Sequence, residues 1–261
     1  PDWCYPSQFS CTHQCKILEP GQQWLRGEAQ SPINVVTRKA LVDERLGPFT
    51  FHNYQQTFHS TIKNNGHSGT PTHSHRKEGW GVGELVTGYK AVQFHLHWGK
   101  DGGPGSEHTI DGEQYPMELH IVHMKKEYTD LSAALKDPNG VAVLGFFYEV
   151  SANKKYDNII NAVQKITAPS RCLDQLIPAR QNLTTYYRYK GSLTTPGCTE
   201  SVVWTLFEHT IPLSKEQLQV FSKLRFPNGE PMVGNFRPLQ PLNGRMVYRS
   251  DAGACWPAPS C

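Results

Sequence analysis

By type and spacing, three histidines of this chain are best placed to hold a metal: His95 and His97 in Gln93-Phe94-His95-Leu96-His97-Trp98-Gly99, and His120 in Glu118-Leu119-His120. Successive side chains of a strand point to opposite faces, so Gln93, His95 and His97 line one side while Phe94, Leu96 and Trp98 bury on the other. The same rule puts Glu118 and His120 on one face of a second strand. If the two strands sit close in one sheet, three neutral imidazoles converge and leave the fourth tetrahedral position of a zinc ion to water. That open position marks a catalytic rather than a structural zinc. A ligating imidazole usually donates its second N–H to an oxygen, and Gln93 and Glu118, each two residues from a ligand and on the ligand's face, are suited to accept it. The plain alternatives are a histidine pair facing water and a solvated charge at Glu118.

The elements around these residues read as strands. Thr57 to Lys63, Thr185 to Leu193 and Ser201 to Phe207 alternate apolar and polar residues between Gly, Pro and Asn punctuation. Val141 to Val150 is more continuously apolar, as expected of a strand covered on both faces at the centre of a sheet. Two segments have helical spacing: Tyr156, Ile159, Ile160, Val163 and Ile166, and then Leu218, Phe221 and Leu224, the latter opened by a capping-box pattern over Ser214-Lys215-Glu216-Gln217. The expected class is mainly β (α+β), with a large, twisted, mostly antiparallel central sheet flanked by short helices. No repeat, linker or low-complexity tract divides the 261 residues, so 1–261 reads as one domain, with a cysteine-rich segment at 1–30 and a flexible tail at 250–261.

Lys and Arg number 26 against 23 Asp and Glu, an excess too small and too dispersed to imply a nucleic-acid partner. No stretch approaches the roughly 20 apolar residues of a membrane helix. The start at Pro1-Asp2-Trp3 carries no charged-then-apolar leader, and reads as a mature chain. Cys4, Cys11, Cys15, Cys172, Cys198, Cys255 and Cys261 form no C-x-x-C pair, so disulfides in an oxidising compartment are expected, with the chain secreted or extracellular. An odd count leaves one thiol over, which allows a disulfide-linked homodimer. The sequon Asn182-Leu183-Thr184 permits N-glycosylation. The small residues of the tail fit a lipid-anchor attachment site, but the long apolar segment such a signal requires is not in this sequence.

Gln93 to Gly99, Gly105 to Asp111, Glu118 to His123 and Gly191 to Pro196 resemble, in order and spacing, the signature segments of the α-class carbonic anhydrases. Gln30 to Asn34, Asn64 to His67 and Asn235 to Pro238 extend the likeness over nearly the whole chain. Trp3-Cys4-Tyr5 and the cysteine after Thr194-Thr195-Pro196 are similar to the extracellular, often membrane-anchored animal members. The resemblance implies zinc on His95, His97 and His120, and reversible hydration of carbon dioxide to bicarbonate and a proton by a zinc-bound hydroxide. It implies a pair, Glu107 and Thr194, in which the carboxylate takes the hydroxyl proton and the threonine oxygen orients the nucleophile. Val122, Val143, Leu193, Thr195 and Trp204 then border the substrate. His67 becomes the proton shuttle, an imidazole titrating near about 6.5. The polar run from Ser68 to Lys77 departs from the family pattern, and its His73 and His75 are either a relay or accessory metal contact, or a solvated loop. Extracellular relatives tie the cysteine here numbered 198 to an N-terminal one, implying Cys15 or Cys11 as partner, while Cys172, Cys255 and Cys261 receive no assignment. A second reading is an extracellular matrix or binding protein on the same scaffold. Loss of any of the three histidines would favour it, and all three are present.

Overall fold

The structure, a computed structural model, describes residues 27–56, 61–64, 69–72, 84–85, 88–151, 172–226 and 229–251. His67, His73, His75, the helical stripe from Tyr156 to Ile166 and all the cysteines except Cys172 and Cys198 lie outside the described residues. In chain order the strands are β1 (Asn34–Val35), β2 (Leu41–Asp43), β3 (Phe51–His52), β4 (Thr61–Asn64), β5 (Gly69–Thr72), β6 (Glu84–Leu85), β7 (Tyr89–Trp98), β8 (Thr109–Ile110), β9 (Glu113–Gln114), β10 (Met117–Lys125), β11 (Val141–Val150), β12 (Tyr186–Gly191), β13 (Val202–Leu213) and β14 (Tyr248–Ser250). Two short α-helices, α1 (Leu131–Ala134) and α2 (Lys215–Phe221), accompany them among the described residues.

Nine strands form one sheet in the order β2-β14-β12-β13-β11-β10-β7-β6-β3. Pairing is antiparallel except at β11–β13 and β14–β2. β11 is the central strand, and its continuous apolar character follows from burial on both faces from Val141 to Tyr148. One face packs Leu96, Leu119, Ile121, Leu144, Phe146 and Phe207 into a core, and the other packs Val122, Val143, Trp204 and Leu206. Each buried Leu, Ile or Phe contributes about 1.5–3 kcal/mol, enough in sum to hold polar machinery between these layers. α2 starts with the expected capping box, since the Ser214 side chain accepts from the Gln217 amide and Gln217 accepts from the Ser214 amide.

Strict alternation would place Ala91 on the same face as Gln93, His95 and His97. A bulge intervenes, because Val122 pairs with Gln93 but His123 pairs with Ala91. One extra residue in β7 therefore turns Ala91 into the opposite core while the histidines keep their face.

His123 lies on that opposite face, where it is buried, and both of its ring nitrogens are used. Its Nδ1–H donates to the Ile121 carbonyl (3.0 Å), and the Tyr54 hydroxyl lies 2.6 Å from Nε2. Burial pulls its pKa down to about 4, so at neutral pH Nε2 carries a lone pair and accepts from Tyr54. An unfolded chain binds this proton near about pH 6.5. The stabilisation is therefore complete above that pH and is lost as pH falls toward about 4, by about 3 kcal/mol at about 1.4 kcal/mol per unit. Urea unfolding at pH 7 and pH 4.5 measures the slope, and His123→Gln is expected to flatten it. An unchanged slope in that variant contradicts the assignment.

Candidate metal centre

β7 and β10 run antiparallel with His95 opposite His120 and His97 opposite Glu118. All four side chains are buried on one face. The ring centroids of the three histidines are 4.7–5.0 Å apart, and one nitrogen from each lies within 4.8 Å of the other two.

The partners of the remaining nitrogens decide which atoms point inward. His95 Nδ1 lies 3.0 Å from Gln93 Oε1, His97 Nδ1 lies 2.6 Å from the Asn235 carbonyl, and His120 Nε2 lies 2.6 Å from Glu118 Oε1. Each partner is an oxygen acceptor, so each of these nitrogens carries the proton and donates it. Lone pairs are thereby left on His95 Nε2, His97 Nε2 and His120 Nδ1. Burial, followed by repulsion from His97 and His120, holds His95 well below the ordinary imidazole pKa, and burial likewise lowers His97. His95 Nε2 and His120 Nδ1 face each other at 3.2 Å. Ligand nitrogens about 2.0–2.1 Å from a tetrahedral zinc stand about 3.3 Å apart, so this edge already has the length a zinc ion needs. Two lone pairs at that distance repel unless a cation lies between them. His97 Nε2 is buried without a hydrogen-bond partner, a cost that the same cation removes. The donor set fits zinc: three neutral nitrogens, which would leave one corner open.

A neighbouring trio, His108, Glu118 and His120, is as compact but serves another purpose. Glu118 Oε1 accepts hydrogen bonds from His108 Nδ1–H (2.7 Å) and His120 Nε2–H, while Oε2 accepts the amides of Glu107 (2.8 Å) and His108 (2.9 Å). Burial opposes its charge, but the attraction and hydrogen bonds of His108 and His120 outweigh that and hold the carboxyl well below its usual range. Four donors on one carboxylate fix the tautomer and plane of His120. The chain of contacts continues from His108 Nε2 to the Tyr189 hydroxyl (2.6 Å) and from there to Ser31 Oγ (2.8 Å). Gly145 lies opposite His120 on β11, where a Cβ would fall 2.7 Å from Leu206 Cδ2 and press that side chain to move, and would touch Glu118 Oε1 at 3.4 Å.

Glu107 accepts the Arg237 amide through Oε1 at 2.8 Å, while Oε2 is buried without a hydrogen-bond partner, 3.4 Å from His97 Nε2. Thr194 is buried in the loop after β12 and makes no hydrogen bond to Glu107 among the described residues. Val122, Val143 and Trp204 form a cross-strand row over β10, β11 and β13, with Leu193 packed against their cluster. The Trp204 ring is 4.8 Å from that of His120, and its Nε1–H donates to the Ser192 carbonyl (3.0 Å). Thr195 is half-buried, and its carbonyl accepts the Cys198 amide. Cys198, at φ +44°, is disulfide-bonded, whereas Cys172 is a free thiol.

Four contributors to the centre were not anticipated: Asn235, His108, Tyr189 and Ser31. Asn235 acts twice, its carbonyl on His97 and its Oδ1 on the Trp98 amide (2.7 Å). His108, Asn235 and Ser31 stand in segments that carry the family likeness, which was the one available signal, whereas Tyr189 had none.

A family model described as eukaryotic-type carbonic anhydrase matches residues 19–251. Carbonic anhydrase 4 of Rattus norvegicus is 39% identical over 263 residues, covering 96% of this chain and 85% of the relative. Carbonic anhydrase 15 of Mus musculus is 34% identical, with 95% and 83% covered, and carbonic anhydrase 7 of Homo sapiens 36%, with 95% and 97% covered.

Proposed function

Because the chain belongs to the eukaryotic-type carbonic anhydrases, enzymes that interconvert carbon dioxide and bicarbonate, we propose that it does so with zinc held by His95 Nε2, His97 Nε2 and His120 Nδ1. The observation that carries the assignment is the commitment of each opposite ring nitrogen to an oxygen, which leaves three buried lone pairs facing one another. Bound zinc supplies acidification of water near neutral pH, a chemistry for which carbonic anhydrase is itself the reference case.

The chain's own residues do the rest. The unpartnered Oε2 of Glu107 offers an acceptor for the Thr194 hydroxyl, although the two are not hydrogen-bonded in this structure. A threonine oxygen whose proton is spent in this way can only accept, so it orients the attacking oxygen toward the substrate carbon. Val122, Val143, Leu193 and Trp204 form an apolar berth for a substrate without net charge. His67 carries the released proton to buffer, since its ordinary pKa lies close to the working pH. Residues 1–261 serve as one catalytic domain.

An extracellular location is supported by the disulfide at Cys198, a bond that belongs to an oxidising compartment. Asn182 of the sequon is exposed, where a glycan can attach. No helix of the described residues is long and apolar enough to cross a membrane. A covalent homodimer has no support among the described residues, whose two cysteines are the half-buried thiol Cys172 and the already bonded Cys198.

Stopped-flow carbon dioxide hydration before chelation, after chelation and after zinc readdition tests this reading. Activity that disappears and returns with zinc is expected. A zinc-loaded protein without activity would favour the matrix or binding scaffold instead.

A further inference from the structure

The sheet has a second polar feature, on the face turned away from the histidines. A cleft of about 520 Å³ opens over Ala142, Arg188 and Thr205, and one of about 560 Å³ adjoins it toward β14, with Arg45, Leu46, Arg188 and Val203 lining both. The lining holds four cations, Arg45, Arg188, Lys190 and Arg245, against a single carboxylate, Asp43.

That carboxylate is already taken, because Arg45 grips it at two points, Nε to Oδ1 and Nη2 to Oδ2, each 2.8 Å. Arg245 spends its guanidinium on the carbonyls of Gln30, Lys190, Pro241 and Leu242. Arg188 is different. Its Nε donates to Thr205 Oγ1 at 2.9 Å, and its charge lies 5.8 Å from the centre of the Phe49 ring and 5.7 Å from that of Tyr186. No acceptor among the described residues takes its two Nη groups. Tyr186 is itself fixed by donating to the Gly47 carbonyl (2.7 Å), so the aromatic walls are anchored in place.

A half-buried guanidinium without a carboxylate partner is costly unless an anion completes it. The two Nη groups form a planar fork that matches a carboxylate in two hydrogen bonds, and arginine keeps its charge at any working pH. The neighbouring walls at Leu46, Phe49 and Leu144 are apolar and suit a hydrocarbon or aromatic body. We propose that Arg188 anchors a second ligand site, separate from the metal centre, for a small organic carboxylate whose apolar body lies against Leu46 and Phe49. Free phosphate offers the same charge to the fork but nothing to those walls.

Benzoate, benzamide and inorganic phosphate titrated into the zinc-loaded, nitrogen-labelled protein and followed by amide NMR test the site. Benzoate is expected to shift the amides of residues 46–50 and 203–205 along a saturable curve, phosphate to bind there more weakly, and neutral benzamide to leave them unmoved. Arg188→Gln should weaken benzoate there by about tenfold or more, and Arg188→Lys, which keeps the charge but loses the fork, by less. Carbon dioxide hydration by both variants should equal that of the parent, which shows an intact fold. No saturable shift at those amides, shifts confined to residues 193–199, an equal response to benzamide, phosphate as tight as benzoate, or an unchanged curve in both variants each overturns the proposal.

Discussion

His97→Ala is expected to lose stoichiometric zinc and to lower kcat/KM for carbon dioxide hydration by about a thousandfold or more. Two histidines remain, and two nitrogens cannot enforce the three-point geometry that keeps one corner open. The chemistry supplied by the metal is worth several kcal/mol of transition-state stabilisation, and each 1.36 kcal/mol is a factor of about ten in rate. His97 is the most informative of the three, because its ring is fully buried, its Nε2 has no hydrogen-bond partner, and its Nδ1–H is fixed on a main-chain carbonyl that mutation cannot remove. His97→Gln keeps much of the volume and a donor for Asn235, so a folded but metal-poor variant separates loss of the site from loss of the fold. Zinc per chain by mass spectrometry, together with kcat/KM, checks the expectation. A near-stoichiometric zinc content with activity within tenfold of the parent would falsify the assignment.

Glu118→Gln is expected to act on two quantities at once. The carboxylate accepts four hydrogen bonds from Glu107, His108 and His120, and a glutamine in its place offers one carbonyl and turns an amide N–H₂ toward groups that are donors themselves. Breaking one side of such a buried charged set costs about 3–5 kcal/mol of stability. His120 also loses the acceptor that holds its proton on Nε2, so the lone pair on Nδ1 is no longer guaranteed, and zinc affinity should fall by about 10–100-fold. Denaturant midpoints and competition with a chelator measure the two separately. A variant with unchanged zinc affinity would reduce Glu118 to a structural acid, and one with unchanged stability would mean that the four bonds contribute little net.

The triad was legible in two halves, because strand alternation puts Gln93, His95 and His97 on one face of their strand and Glu118 and His120 on one face of theirs, while the pairing of His95 with His120 that joins the halves came from the sheet. The central position of β11 was legible from its unbroken apolar run. Asn235 was not, because its carbonyl is a group that any residue offers and only the fold brings it to His97, 138 positions away. Tyr189 and Ser31 were hidden for a similar reason, since each looks like an ordinary strand or loop residue until His108 is placed between them and Glu118. The bulge at Val122 and His123 leaves the pattern of β7 unmarked, as it is a property of pairing rather than of either strand alone. The parallel pairing of β11 with β13 was equally silent, and β13 runs on to Leu213, beyond the expected end at Phe207, because its second half pairs with Tyr148 to Val150 after a shift of register. Val122, Val143 and Trp204 are residues any β core contains. Their adjacency to His120 came from the sheet order and not from their types.

Zinc-edge X-ray absorption on the purified protein tests the central claim most directly. The expected result is one zinc per chain with three imidazole nitrogens and one oxygen ligand at about 2.0–2.1 Å, and little or no bound zinc in the His97 variants. Absence of stoichiometric zinc, a sulfur ligand, or a closed set of four protein ligands would contradict it.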